Sequence, residues 1–249
     1  MNIFQLILKP LVMIKFDIAV ITVVYNNLSG ITKTLNSVFK SKNNCNIQHI
    51  IVDGFSNDGT WEFLKKNKSK IEVLFQASPK GIYNAMNLGI EHINAPFHIF
   101  INSSDELFLK FKPSYATFIP VKLKRPWSKN YVQWKKPKKV MFNGNIYCHQ
   151  GIIFPSKKIF YNENFRLAAD YEYFIKYMDH FTNLKIQKNI GYSFYDTEGI
   201  TSSLSSRKKV RKEEREIILQ NFTIFHVLIT EIYFNLSILY KYIINYYDE

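Results

Sequence analysis

Three polar clusters in the first half of the chain carry residue types suited to binding and activating a charged small molecule. They are Tyr25-Asn26-Asn27, Asp53-Gly54 and Asn102-Ser103-Ser104-Asp105-Glu106. Each directly follows a short apolar run, at residues 18–24, 48–52 and 98–101. A carboxylate in that position can accept hydrogen bonds from the N–H edge of a nucleotide base. Taken singly, Asn, Asp and Gly at such places equally make turns and helix caps. It is their convergence on one sheet edge that points to a site. Lys80-Gly81 precedes a helix-period run, whose first backbone N–H groups could meet a phosphate. Downstream, His149-Gln150 precedes a strand-like run at 151–154, and Ala168-Ala169-Asp170 opens a helix-like run at 171–177.

The elements that must position these residues follow from periodicity. Strand candidates at 18–24, 48–52, 71–75 and 98–101 alternate with helix-period segments, the order of a parallel sheet wrapped by helices. Ile31, Leu35 and Val38 fall at helical spacing in one crossover, and Ile82, Met86, Ile90 and Ile93 in another. Such sheets bind ligands beyond the carboxyl ends of their strands, where the polar clusters lie. A further strand is predicted at 191–195.

The 249 residues, 47% of them hydrophobic, are enough for a substantial core, which excludes disorder and fibrous repeats. Lys and Arg outnumber Asp and Glu by 33 to 20, a formal charge of +13, so phosphates, nucleic acid or an anionic membrane surface are the expected partners. Cys45 and Cys148 are too few for a disulfide scaffold or a four-cysteine zinc site, and a reducing, cytoplasmic setting is expected. No apolar stretch reaches the roughly eighteen residues of a membrane span. Residues 1–16 read as an apolar leader, interrupted by Lys9 and Pro10. Residues 120–139 hold eight Lys or Arg, no acid, and Trp127, Tyr131 and Trp134. Such a segment fits a diphosphate, nucleic acid or lipid headgroups, or simply a solvated loop.

Six blocks, ITVVYNN (21–27), IVDGFSNDGTWEFL (51–64), KGIYNAMNLGI (80–90), FINSSDELF (100–108), HQGIIF (149–154) and AADYEYF (168–174), occur in one order along the chain. In this the sequence resembles the family 2 nucleotide-sugar glycosyltransferases, and within them the bacterial colanic-acid and O-antigen polysaccharide transferases. The resemblance implies an α/β GT-A fold, a Rossmann-like mixed sheet flanked by helices, over residues 17–205. Residues 17–110 would form the nucleotide-sugar half and 111–205 the acceptor half, followed by an amphipathic helical tail at 206–249.

The resemblance also assigns roles. Asp53 matches the aspartate that reads the nucleotide base, and Thr22 and Tyr25 would line the same pocket. Lys80 would meet a donor phosphate, although Pro79 stands where relatives often carry an acid. Asp105 matches the metal-binding acid, which implies Mn²⁺ or Mg²⁺. Ser104, a ribose contact, and Asn102 replace frequent acids, lowering the local charge. Asp58 reads as a cap of the helix that follows it. Asp170 matches the general base that takes the proton of the acceptor hydroxyl. His149 and Gln150 would contact the acceptor or the donor sugar.

The implied activity is inverting, metal-dependent transfer of a hexose from a UDP- or GDP-sugar to a polyprenyl-diphosphate-linked glycan precursor at the cytoplasmic face of the membrane. Arg207, Lys208, Lys209, Arg211 and Lys212 precede an apolar stripe through Ile218, Phe222, Phe225, Ile229, Ile232, Leu236, Leu239 and Ile243. That stripe fits a lipid interface, or packing on the domain or on a second subunit in a homodimer. A catalytically weakened scaffold is a competing reading, motivated by Ser104 and Asn102. A nucleic-acid-binding protein is another, though no recognition motif accompanies the basic segment.

Overall fold

In the computed structural model, residues 16–78, 80–124, 132–133, 148–178, 189–196, 204–232 and 235–236 are described. The leader through residue 15, most of the basic segment at 120–139 and the end of the tail, with Leu239 and Ile243, lie outside them.

Strands β1 (Ile18–Val24) and β2 (Ile47–Asp53) are buried along their whole length. They form the middle of a parallel sheet covered on both faces, which is why they read as continuous rather than alternating apolar runs. With β3 (Val73–Gln76), β4 (Phe97–Phe100), β6 (Thr117–Phe118) and β9 (Ile152–Pro155) they make a six-stranded sheet in the order β3-β2-β1-β4-β9-β6. The first four run parallel, while β9 is antiparallel to both β4 and β6. The predicted strands recur with shifts of one or two residues. The third starts at Val73 because Lys68–Lys70 forms a 3-10 turn.

A second sheet, not anticipated, has the order β5-β10-β7-β8, from Glu106–Leu109, Gly191–Asp196, Val121–Lys124 and Val132–Gln133. Its β5 edge is covered by α1 (Leu28–Ser41) through side-chain hydroxyls. Thr34 Oγ1 donates to the Asp105 carbonyl at 2.7 Å, and Ser37 Oγ accepts from Leu107 N–H at 3.1 Å. Ser41 Oγ donates to the Leu107 carbonyl and accepts from Leu109 N–H, both at 3.0 Å. At helical spacing these three residues supply the partners a neighbouring strand would otherwise give, so the edge has nothing left to pair with another chain.

Helices α2 (Thr60–Lys66), α3 (Ile82–Glu91) and α4 (Ala169–Tyr177) complete the domain. The core holds Ile21, Val23, Ile50 and Val52 against Met86 and Ile90 of α3, and Phe154 against Tyr161, Tyr173 and Tyr177. Helix α5 (Leu204–Asn221) buries Ile217 and Ile218 completely in this same core, and Val227 joins them. Burying two isoleucines stabilises by roughly 3–6 kcal/mol, so the start of the expected tail is part of the folded domain. The apolar stripe divides: Phe222 packs on the core, whereas Ile224, Phe225, Leu228, Ile232 and Leu236 are exposed.

Candidate active site

At the carboxyl edge of the first sheet, Asp53 is the last residue of β2 and is fully buried. Its Oδ2 accepts from Ser56 N–H at 3.0 Å and from Gln76 Nε2 at 2.9 Å, while its buried Oδ1 has no partner. A buried acceptor oxygen left bare in the interior is costly unless a ligand donor completes it. Beside it, the Tyr25 ring is 60% exposed. The Thr22 side chain points away from this edge, while its backbone lies in β1 two residues before the strand's end. With a period of two along β1 its side chain falls on the α1 face, fully buried, with Oγ1 3.0 Å from His49 Nε2.

Among the described residues three non-glycine positions hold positive φ, Asn26 (46°), Phe55 (62°) and Ser104 (84°), one after each of β1, β2 and β4. Backbone in this region costs of order 1–3 kcal/mol and persists where surroundings over-determine it. Here they do. Asn26 N–H donates to Ser56 Oγ at 2.8 Å, and Asn26 Oδ1 accepts from Asn57 N–H at 2.9 Å. Asn27 caps α1, its Oδ1 accepting from Gly30 N–H at 3.0 Å, while its Nδ2 donates to Ser103 and Ser104 Oγ. A Cβ on Gly30 would collide with the Ser104 hydroxyl and the Asn27 amide, so the close approach of α1 to this loop requires glycine. Ser104 thus spends its hydroxyl on Asn27, and its N–H on Thr34 Oγ1 at 3.1 Å. Asp58 acts as a local brace: Oδ1 accepts from Thr60 N–H and Oδ2 from Leu28 N–H, both at 3.1 Å.

Asp105 is 3% exposed, and burial pushes its carboxyl up to about 6 against the opposing hydrogen bonds. Oδ1 accepts from Asp196 N–H at 3.0 Å and Oδ2 from Gln150 Nε2 at 2.7 Å. Gln150 Oε1 in turn accepts from Cys148 Sγ at 2.6 Å. His149 faces the other way, its Nε2 3.3 Å from Asn102 Nδ2 and its Nδ1 3.7 Å from Asp170 Oδ2. Asn102 Oδ1 is buried without a partner. Glu106 begins β5 instead of joining the Asp105 site.

Among the described residues no three or more His, Cys, Asp or Glu side chains form a group that could hold a metal unaided. Magnesium-type ions, however, commonly bind through one or two protein oxygens plus substrate phosphates. The Asp105 carboxylate and the unpartnered Asn102 Oδ1 are oxygen donors of that hard type, the chemistry a cation arriving with a diphosphate would need.

Asp170 is the second residue of α4. Ala168 holds the N-cap position without a side-chain bond, so Asp170 is not the N-cap residue, although it lies in the first turn. Its Oδ1 accepts from Tyr171 N–H at 3.0 Å and, at 3.5 Å, from the Tyr83 hydroxyl, whose pKa burial and then the Asp170 charge hold well above the phenolic range. Lys80 is exposed just before α3, whose N-cap Gly81 has a φ of 114°. Asn84 and Asn87 of α3 bind Glu163, and Asn87 also bonds the Tyr161 backbone, so both tie α3 to the segment leading into α4. Sequence reasoning passed over Gln76, Tyr83 and Asp196. Only Gln76, at a strand end, carried a signal of position.

A parallel sheet whose strand ends gather a buried Asp, a loop acid and an opposing helix-borne Asp defines an α/β domain of the GT-A kind. Solved structures agree on that fold. S. aureus TarS 1–349 in complex with UDP superposes with a TM-score of 0.61 at 19% identity, covering 82% of this chain and 66% of that one. The mannosyltransferase PcManGT from Pyrobaculum calidifontis, in complex with GDP-Man and Mn²⁺, does so with a TM-score of 0.56 at 11% identity, covering 84% and 65%. Residues 19–111 match the model described as Glycosyl transferase family 2. Two Mycobacterium tuberculosis proteins, both described as uncharacterized glycosyltransferases, are 34% identical over 89 residues, 35% of this chain and 34% of theirs. The match thus spans about a third of the length of these curated relatives.

Proposed function

We propose that the chain transfers a sugar from a nucleoside-diphosphate sugar to an acceptor hydroxyl with inversion at the anomeric carbon. The observation that carries this reading is the His149-Gln150 pair, which joins the two carboxylates the chemistry needs. Gln150 holds Asp105 at 2.7 Å on one side, and His149 faces Asp170 at 3.7 Å on the other. The bare Asp53 Oδ1 accepts a base N–H, the exposed Tyr25 ring lies against the base, and Lys80 meets the phosphates. Asp105 and Asn102 would hold Mg²⁺ or Mn²⁺, and a cation there would supply positive charge against the departing diphosphate. Asp170 takes the acceptor proton as the hydroxyl oxygen bonds to the anomeric carbon and the bond from that carbon to the diphosphate oxygen breaks.

The acceptor is a polyprenyl-diphosphate-linked glycan of the kind used for surface polysaccharides such as O-antigen, reached from the cytoplasmic face of the membrane. In support, the chain carries a charge of +13, and Ile224, Phe225 and Leu228 form an exposed apolar face on the segment after α5. No helix among the described residues is long and apolar enough to cross a membrane, so the contact proposed is peripheral.

Calorimetric titration with UDP and GDP, with and without Mn²⁺, tests the donor assignments. Asp53→Ala should weaken nucleotide binding in both conditions, whereas Asp105→Ala should remove only the metal-dependent part and abolish transfer. Undiminished turnover in Asp105→Ala would refute the reading.

A further inference from the structure

The N-cap residue of α4, Ala168, has no side-chain bond, and the group that orders the segment entering the helix comes from α5, forty-odd residues later in the chain. Glu213 Oε1 accepts from Arg166 N–H at 3.0 Å, and its Oε2 accepts from Leu167 N–H and Ala168 N–H, both at 2.8 Å. Three consecutive backbone donors thus converge on one carboxylate. Charge-assisted bonds of this kind are about twice as strong as neutral ones, and the last of them fixes Ala168, the N-cap residue two positions before Asp170. Glu213 is itself anchored. Its helix buries Ile217 and Ile218 in the core, and Arg211, on the same helix, pairs with Glu214 at 3.2 Å and with Glu231 at 3.2 Å. The Glu213 charge also contributes to the raised pKa of Tyr83, the residue that donates to Asp170.

We propose that Glu213 is a positioning residue for Asp170: its carboxylate sets the path of residues 166–168 and thereby the direction in which α4 presents the base. The proposal rests on the reading of Asp170 as the base. It adds that the catalytic geometry depends on α5, which lies outside the stretch 19–111 shared with the family. Small displacements of a catalytic group have large kinetic effects, since a misplacement of about 1 Å can cost roughly a hundredfold in rate.

Glu213→Gln keeps the size of the side chain but replaces one acceptor oxygen by a donor that faces backbone N–H groups. It should lower kcat roughly ten- to a hundredfold while the donor KM stays within about twofold. Hydrogen exchange at Arg166, Leu167 and Ala168 should accelerate, and Glu216→Gln, an exposed acid on the same helix, should change neither. The decisive measurement is the cycle with Asp170→Asn. A residue that acts through Asp170 has nothing left to position once the base is gone, so the double variant should turn over at the rate of Asp170→Asn alone. If the Glu213→Gln penalty is as large in the Asp170→Asn background as in wild type, Glu213 is a structural cap and the proposal is overturned while the base stands. If Asp170→Asn keeps the wild-type rate, the base assignment fails and the positioning role falls with it.

Discussion

Asp53, Asp105 and Asp170 lie toward one edge of the sheet in different surroundings. Asp53 has one oxygen braced by Ser56 and Gln76 and one left bare, the state of a group that awaits a donor. Asp105 has both oxygens bonded to neutral donors and is raised to about 6 by burial, so a cation of the kind proposed would favour its ionised form. Asp170 is half-buried, beside a tyrosine hydroxyl and an imidazole. Replacing Asp170 by Asn keeps its shape and the bond from Tyr171 N–H but removes the proton acceptor. Turnover should then fall by at least roughly a hundredfold with donor affinity nearly unchanged. Single-turnover kinetics alongside nucleotide titration checks this, and a variant that loses melting temperature but keeps its rate would make Asp170 structural. The placement of these acids was legible because each stands at a strand or helix terminus, where position along the chain is nearly position in space. Their partners were not. Gln76, Gln150 and Asp196 arrive from 23, 45 and 91 residues away, and no local pattern encodes such pairings.

At the scale of elements, the parallel half was readable because its strands are continuous apolar runs separated by helix-period segments, and a crossover of that length permits little else. The second sheet was not, since β5 lies within a loop motif and its edge is satisfied by Thr34, Ser37 and Ser41, residues that read as the polar face of an ordinary amphipathic helix. Thr22 illustrates the same limit: strand period assigns its face, but only the neighbouring strand reveals that His49 claims its hydroxyl. The two strand histidines have a measurable consequence. Burial lowers His98 to about 3, and burial followed by the Lys42 charge lowers His49 to about 3, so both are neutral in the folded protein. In the unfolded chain each titrates near 6.5. Stability is therefore fully present above pH 6.5 and is lost as pH falls from there toward 3, where only the unfolded state takes up the protons. Each site contributes a slope of up to about 1.4 kcal/mol per pH unit. Denaturant titrations from pH 7.5 to 4.5 should show this decline, and His49→Asn should flatten it by about one proton's worth. An unchanged slope in that variant would mean that His49 is protonated in the fold.

For the whole molecule, the question is how a chain of charge +13 with an apolar helical face meets its surroundings. Lys208, Lys209, Lys212 and Arg215 are exposed along α5, and Ile224, Phe225, Leu228 and Ile232 are exposed on the helical segment that follows. In the peripheral contact proposed above, basic residues would be drawn to anionic headgroups and apolar side chains would enter the boundary region, with the charge component screened by salt. Removing everything after Ser206 would be a poor test, because Ile217, Ile218 and the Glu213 bonds would go with it. Their loss approaches the 5–15 kcal/mol that holds a typical domain together. Surface substitution separates the roles: Ile224→Ser, Phe225→Ser and Leu228→Ser together leave the core intact. This triple variant should keep its melting temperature and nucleotide affinity, lose co-sedimentation with vesicles containing anionic lipid, and work poorly on a lipid-linked acceptor while a soluble analogue is still glycosylated. Wild-type binding to the same vesicles should weaken as ionic strength rises. Vesicle binding that survives the three substitutions refutes the membrane contact. If light scattering instead shows the variant falling from dimer to monomer, the apolar face joins two copies of the chain.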